Sequence, residues 1–416
     1  MSRNMAIILA AIPLFFLLIA IELVVDKKRG TGYYQFNDAI NSLQVGILSR
    51  VTGILKALLP FSIYYYCYEN FRLYSFDEQS YLFWGFAFVL YDLAYYWVHR
   101  LSHRVNVMWG SHVVHHSSEE YNLTTALRQS STPALFGWLI YMPLALIGVS
   151  PMMLLVCGSL NLIYQFWVHT RHIDKMPNWF ERIFVTPSHH RVHHALNRDY
   201  IDKNFAGVFI LWDKLFGSFQ AEKTTVKTVY GISTQLKSWN PIWANFQVYW
   251  SLLKDSFYAR NWLDKVKVWV MPPGWRPKDA AEKEPRKYAT TKTMVKYDVS
   301  LSLSQKFYVL IQHVFIICLT LWLLLSVGQL LLAEKIWLSC FGIFSLFSLG
   351  NYQQQGAYCR LFESIRVLVS ALIVTYFISQ QFWLEATFIA VVYVFYSLYA
   401  LHQINNKNNK TAQIVD

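Results

Sequence analysis

Eight histidines fall into three tight clusters: His99 and His103 in HRLSH, His112, His115 and His116 in HVVHH, and His190, His193 and His194 in HRVHH. On a helix, positions i, i+3 and i+4 share one side with Cβ atoms roughly 5–6 Å apart, so each cluster is expected to aim its rings at a single point. Packed together without a cation, these imidazoles would repel when protonated and lack partners when neutral. They are therefore read as metal ligands. A structural zinc site closes on four ligands, usually with thiolate among them, whereas eight imidazoles without cysteine suit two ions with open positions. That donor set fits iron that activates dioxygen, or a pair of hydrolytic zinc ions. The five cysteines (Cys67, Cys157, Cys318, Cys340 and Cys359) are scattered, mostly within apolar runs, and read as packing residues.

Supporting polar residues follow from position. Asp92 lies seven residues before His99 on the same helical face, where a carboxylate could orient a ligand imidazole through its second nitrogen, or face a water-filled cavity. In an apolar segment it must turn inward to a partner, since a central charge costs about 2.5–3.5 kcal/mol. Asn122, Arg128 and Gln129 in YNLTTALRQS, with Asp202, Asn204 and Asp213 further on, are candidates to position the third cluster or a substrate headgroup. Residues of these types also form turns and caps, the simpler reading for Asp213 in WDKLFGSF.

The elements that must carry these residues are apolar. Of 416 residues 55% are hydrophobic and only 15% charged, against about a quarter charged in a soluble domain. Apolar runs near the roughly 20 residues of a spanning helix recur at Met5–Val25, Val45–Tyr65, Tyr81–Val98, Phe307–Leu332, Ile336–Leu349, Ile365–Ser379 and Phe382–Leu401. Pro133–Val168 is apolar and broken at Gly148 and Pro151, which predicts a membrane hairpin of two short helices. Met5–Val25 carries no cleavage site and reads as a retained helix rather than a signal peptide.

The net charge of +12 is uneven: Lys27, Lys28, Arg29, Arg50, Arg100, Arg104 and Arg128 flank one side of these spans, and loop 66–80 is acidic. Basic residues mark the cytoplasmic side, so the N-terminus is expected outside, with the histidines, the long polar segment 169–306 and the tail inside. The positive charge then serves topology and anionic headgroups rather than nucleic acid. The predicted fold is an all-α polytopic membrane bundle with a histidine-rich di-metal site on the cytosolic face. It divides into N-terminal spans (1–98), a catalytic region (99–305), a C-terminal bundle (306–402) and a polar tail (403–416). All three clusters abut helices descending from one membrane face, where metals could meet a lipid entering from the bilayer. A metal transporter is disfavoured, because His313 stands alone in its span and His402 lies at a helix end.

The spacing HxxxH, HxxHH, HxxHH resembles the fatty acid hydroxylase/sterol desaturase superfamily of membrane di-iron enzymes. Beyond the clusters, "YWVHRLSHRVNVMWGSHVVHHSSEEYNLTTALRQS", "NLIYQFWVHT", "TPSHHRVHHALNRDYIDKNFAGVFILWDKLFGSF" and "PPGWRP" are similar to the branch that cleaves alkylglycerol ether lipids, across most of residues 80–280. The resemblance implies two Fe ions and oxygen-dependent hydroxylation of the ether-bearing carbon, giving a fatty aldehyde and a glycerol derivative. Its alternative is hydroxylation or desaturation of another lipid, fatty acyl or sterol. The resemblance places the eight clustered histidines in the ligand positions and adds His169, at the end of YQFWVHT, as a ninth; His172 and His189 are weaker candidates. The partners implied are a bilayer lipid, O2 and an electron donor, either a pterin or a redox protein. The location implied is the endoplasmic reticulum in a eukaryote or the cytoplasmic membrane in a bacterium. Tetrahydrobiopterin is the reductant of the animal enzymes, but Arg104 stands where those place a glutamate after the second histidine, a cation in place of a carboxylate that could accept from a pterin ring.

Overall fold

The structure, a computed structural model, describes residues 3–56, 58–132, 136–378 and 391–401. In chain order its helices are α1 (Arg3–Arg29), α2 (Phe36–Lys56), α3 (Leu58–Phe71), α4 (Tyr81–Arg104), α5 (Asn106–His116), α6 (Leu123–Ala126), α7 (Met142–Ile147), α8 (Pro151–Trp167), α9 (Asn178–Ile183), α10 (Pro187–His194), α11 (Leu211–Leu215), α12 (Pro241–Tyr258), α13 (Trp262–Val270), α14 (Lys278–Lys283), α15 (Leu303–Ser326), α16 (Leu332–Gln353) and α17 (Cys359–Ile378). A further helix, α18, covers Val391–Leu401. Among the described residues no strand forms; two isolated bridges join Phe184 to Phe209 and Ala195 to Tyr230. The tail 403–416, His402 and the start of the expected span Phe382–Leu401 lie outside the described residues.

The chain separates into two compact units, one of residues 1–237 with 243–297, the other of 238–242 with 298–416. The N-terminal helices and the histidine region thus share one unit. In it α4 packs on α5 and α8, and α8 on α1. The reversal between α4 and α5 is made by one residue, Val105, in extended conformation (φ −125°, ψ 121°). This short break sets the first two clusters side by side.

The apolar run 133–168 is interrupted as its sequence suggests. Gly148 adopts φ +118° and ends α7; a Cβ there would meet the Tyr74 carbonyl oxygen at 2.2 Å, so only glycine fits. Ser150 then caps α8, its hydroxyl accepting from Met153 N, with Pro151 in the first turn, where a missing N–H costs nothing. The run Val45–Tyr65 differs from expectation, its residues being shared between α2 and α3. α2 also buries a polar face of Asn37, Asp38, Asn41, Ser42 and Gln44, which a lipid-facing span would not. Glu22 of α1 is buried too; its carboxylate accepts from Leu123 N (2.8 Å) and from the Tyr34 and Thr170 hydroxyls, fastening α1 to the start of α6.

In the second unit α15 packs on α16 and α16 on α17. Of the described helices, α15 and α16 are long and apolar enough to cross a membrane. Arg366 is fully buried, bonded to Glu363 (2.7 Å) and to Gln312 Oε1 (2.7 Å), so the charge that α17 brings inside is matched there.

Candidate metal centre

Nine histidines converge in two groups, each with its ligand atoms within 4.8 Å of one another: His99, His103, His112, His116 and His193 in one, His115, His169, His190 and His194 in the other. The expectation that each cluster points at one place is corrected. In HVVHH, His112 and His116 enter the five-ring group and His115 the four-ring group; in HRVHH, His190 and His194 enter the four-ring group and His193 the other. Helix geometry explains the split. At about 100° per residue, i and i+4 differ by about 40°, whereas i+3 falls about 60° to the other side of i. Each HxxHH helix therefore supplies a pair to one group and a single ring to its neighbour.

The ring nitrogens reveal what the groups are built for. His99 Nδ1 donates to the Phe205 carbonyl (2.6 Å), His193 Nδ1 to that of Lys203 (2.9 Å), His115 Nδ1 to that of Arg128 (3.1 Å) and His169 Nδ1 to that of Gln165 (2.8 Å). A proton on Nδ1 leaves Nε2 with a bare lone pair. Yet Nε2 of His115 and His169 face each other at 3.2 Å, which two acceptors cannot share as a hydrogen bond. Nε2 of His103 and of His193 is buried with no hydrogen-bond partner among the described residues. A cation among these lone pairs satisfies them together, so the donor set fits a metal. Burial first, and the neighbouring rings next, hold the imidazoles of His99, His103, His112, His116, His169, His190 and His194 well below the ordinary value of about 6.5. Burial pushes His115 down to about 4 and His193 to about 3. Neutral imidazole is the form that ligates.

One loop holds the five-ring group from behind. Asp202 and Asn204 both take left-handed backbone (φ 60° and 55°), which helps turn the Lys203 and Phe205 carbonyls and the Asp202 carboxylate toward the rings. Asp202 lies 3.7 Å from His103 Nδ1 and 3.4 Å from Arg104. Two buried carboxylates clamp the loop. Asp213 accepts from Phe205 N and Ala206 N (2.8 Å each) and from the Ser218 hydroxyl. Asp92 accepts from Val208 N, Phe209 N and Trp212 Nε1 (2.9 Å each) and from Asn161 Nδ2. Asp92 thus touches backbone rather than an imidazole, because the carbonyl of Phe205 already occupies the second nitrogen of His99. Asn204 ties the loop to the His189 and Gln220 carbonyls.

Asn122 caps α6, accepting from Thr124 N and donating to the Tyr33 carbonyl; it reaches no histidine of either group. Arg128 is fully buried and acts on the second cluster rather than the third: its guanidinium binds the Val114 carbonyl and Ser117, and its own carbonyl holds His115. Gln129 bonds the Ala126 carbonyl. His189 packs on Phe219 and His172 lies 3.6 Å from Asp26, both outside the two groups. Sequence reasoning missed Tyr121, stacked on His169 at 5.6 Å with its hydroxyl on the Val168 carbonyl, and Trp109, 5.1 Å from His103. Their only signal was aromatic character beside the clusters.

A cavity of about 310 Å³ borders the centre, lined at its inner end by His103, His116, His193 and His194. Trp109, Trp275 and Asp255 also line it, Asp255 held by Arg276 and Arg286 (2.8 Å each).

Comparison with known proteins agrees with this centre. Residues 84–218, which contain all nine rings, match the fatty acid hydroxylase family. The chain is 36% identical to human alkylglycerol monooxygenase over 367 residues, 86% of this chain and 80% of that protein. It is 36% identical to the zebrafish (Danio rerio) alkylglycerol monooxygenase over 372 residues, 87% and 81% of the two chains. The ornithine lipid hydroxylase of Rhizobium tropici is similar over a shorter stretch, 27% over 157 residues, 36% of this chain and 47% of that one. No solved structure matches. Most of the length is shared with these monooxygenases, and the chain belongs to the alkylglycerol monooxygenase family of oxidoreductases.

Proposed function

We propose that this protein is an integral membrane di-iron monooxygenase that hydroxylates the ether-bearing carbon of alkylglycerol lipids. The observation that carries the reading is the facing Nε2 lone pairs in two adjacent all-histidine groups, supported by similarity to alkylglycerol monooxygenases. His99, His103, His112, His116 and His193 hold one iron, and His115, His169, His190 and His194 the other. When bound, the irons supply oxidation of a C–H bond by O2 with electrons from an external donor.

The chain's own residues seat the substrate. Trp109 and Trp275 keep the approach to the rings apolar and poor in water, while Ser251 and Gln247 offer hydroxyl-binding groups for a glycerol head. The product of hydroxylation at an ether carbon is a hemiacetal; its C–O bond breaks to give a fatty aldehyde and a free glycerol hydroxyl. Asp92 and Asn122 act as positioning residues, the first through the loop behind His99 and the second through α6. The apolar runs set the fold as a multi-pass bundle, N-terminus outside and histidines at the cytoplasmic face, with 1–98, 99–305 and 306–402 as its working regions.

Metal analysis paired with an alkylglycerol cleavage assay, with and without tetrahydrobiopterin, tests the reading. The expected result is iron and O2-dependent aldehyde. Turnover only with the pterin assigns it as donor despite the Arg104–Asp202 pair, and turnover with a reduced redox protein supplied in its place assigns that class of donor. Iron without alkylglycerol turnover under any donor would move the substrate to another lipid.

A further inference from the structure

The segment 169–306 reads as polar in sequence, yet α12 wears its polarity inside out. Phe246, Trp250, Leu253 and Phe257 recur at spacings of four, three and four, which places them on one stripe of the helix. That stripe is exposed, Trp250 at 52% and Phe257 at 77%. The opposite face buries Asn245 and Asp255: Asn245 accepts from Ser131 N at 2.8 Å, and Asp255 is gripped by Arg276 and Arg286. A helix facing water would show the reverse. The next helix continues the pattern, with Trp262 at 80% exposure and Leu263, Val266 and Val270 also open, while Val268 is buried.

We infer that the outer face of α12 and α13 lies in the membrane interface, its aromatic stripe among lipid chains and its basic rim on anionic headgroups. Three observations favour lipid. Trp and Phe mixed with aliphatic side chains are the composition of interfacial helices, and the exposed patch is too continuous for a water-facing surface. Arg260, Lys265 and Lys267 border the stripe against one acidic neighbour, Asp264, which lies 3.7 Å from Lys267; Lys265 lays its stem beside the Trp262 ring (5.4 Å) and donates to the Ser256 carbonyl (2.9 Å), while Arg260 is exposed. The inner face of α12, through Gln247, Ser251 and Asp255, lines the cavity beside the histidines.

On this arrangement α12 is a wall one helix thick between bilayer and cavity. The cavity, about 310 Å³, lies at the small end for ligand pockets, so a long alkyl chain must extend beyond it. The neighbouring α13 is tied to the ligand helix: Asn106, at the start of α5, donates to the Val268 and Met271 carbonyls at 2.9 and 3.0 Å. Lipid seated on α12 and α13 therefore bears on the helix that carries His112, His115 and His116.

The inference rests on the membrane reading above, and the test separates the two. Benzoylphenylalanine is placed at Phe257, in a second chain at Trp250, and as background at the exposed Asp199, in full-length metal-loaded protein reconstituted into vesicles of phosphatidylcholine and phosphatidylglycerol. Flotation with the vesicles comes first; a chain that does not float fails the membrane reading before any irradiation. The expected result is phospholipid adducts at Phe257 and Trp250, several-fold above Asp199, identified by mass. Adducts to a second copy or to another segment of this chain would mean that protein covers the face, and no adduct would mean that water does. Either outcome overturns the inference.

Discussion

The two histidine groups sit side by side but are held in different ways. In the four-ring group the carbonyl behind His169 is that of Gln165, one turn earlier on α8, and the carbonyl behind His115 is that of the buried Arg128, in the segment that follows α6. The five-ring group leans on a loop distant in sequence, Asp202–Phe205, kept in place by Asp213 and Asp92. The cavity touches three rings of the five-ring group, His103, His116 and His193, and only His194 of the other. The comparison teaches that both groups are assembled by tertiary packing, but the one bordering the cavity takes its orienting carbonyls from a single loop, whereas its neighbour takes them from two separate places, Gln165 on α8 and Arg128 beyond α6. A loop can set ring angles that no single helix can, at the cost of sensitivity to anything that loosens it.

The largest expected effect comes from removing the ring that α10 sends across. His193→Ala should abolish turnover and empty the five-ring site while His190 and His194 keep the four-ring metal; metal analysis beside the activity assay would show an unsplit centre instead if both metals left. Next comes Asp213→Asn. It replaces a carboxylate oxygen that meets a backbone N–H with an amide that cannot accept there, and loss of such outer support typically weakens metal binding roughly 10–100-fold. The loss should fall on one metal, leaving the other's chelator resistance as in the native chain; equal weakening of both would erase the distinction.

A third difference concerns acid. His115 and His193 have folded values of about 4 and about 3, below the ordinary value of about 6.5 in an unfolded chain. Both are depressed, so between those limits the unfolded state binds more protons, and the metal-free fold loses stability as pH falls below about 6.5. The loss through His115 ends near pH 4 and that through His193 continues to about 3. Thermal melts of the metal-free chain from pH 7 downward check the sign; a melting temperature that rose on acidification would contradict it. The smallest effect is Tyr121→Phe. It removes the hydroxyl bond to the Val168 carbonyl beside His169, worth about 1 kcal/mol, and should lower the melting temperature slightly without touching the five-ring metal.

Much of the site was legible because chemistry confined it to one residue type. Imidazole spacing announced the clusters, and His169 followed from resemblance. The division between two groups was not legible while HxxHH was treated as one face, since the i+3 ring diverges by a sixth of a turn. Nor could sequence show that Asp92 would grip the backbone at Val208 and Phe209, or that the Lys203 and Phe205 carbonyls would orient His193 and His99: every residue carries a carbonyl, and only folding selects which ones matter. The break was foreseen because Gly148 and Pro151 interrupt an otherwise apolar run; the left-handed backbone at Gly148 is what the fold adds. The stripe on α12 was passed over because Lys254, Asp255 and Arg260 lent the segment a polar average that hid its one-sidedness.

Mössbauer spectroscopy of the iron-loaded native protein, with iron counted on the same sample, tests the central claim most directly. The account predicts about two irons per chain in two distinct environments, one with five histidine nitrogens available and one with four. A single iron, or two indistinguishable ones, would contradict it.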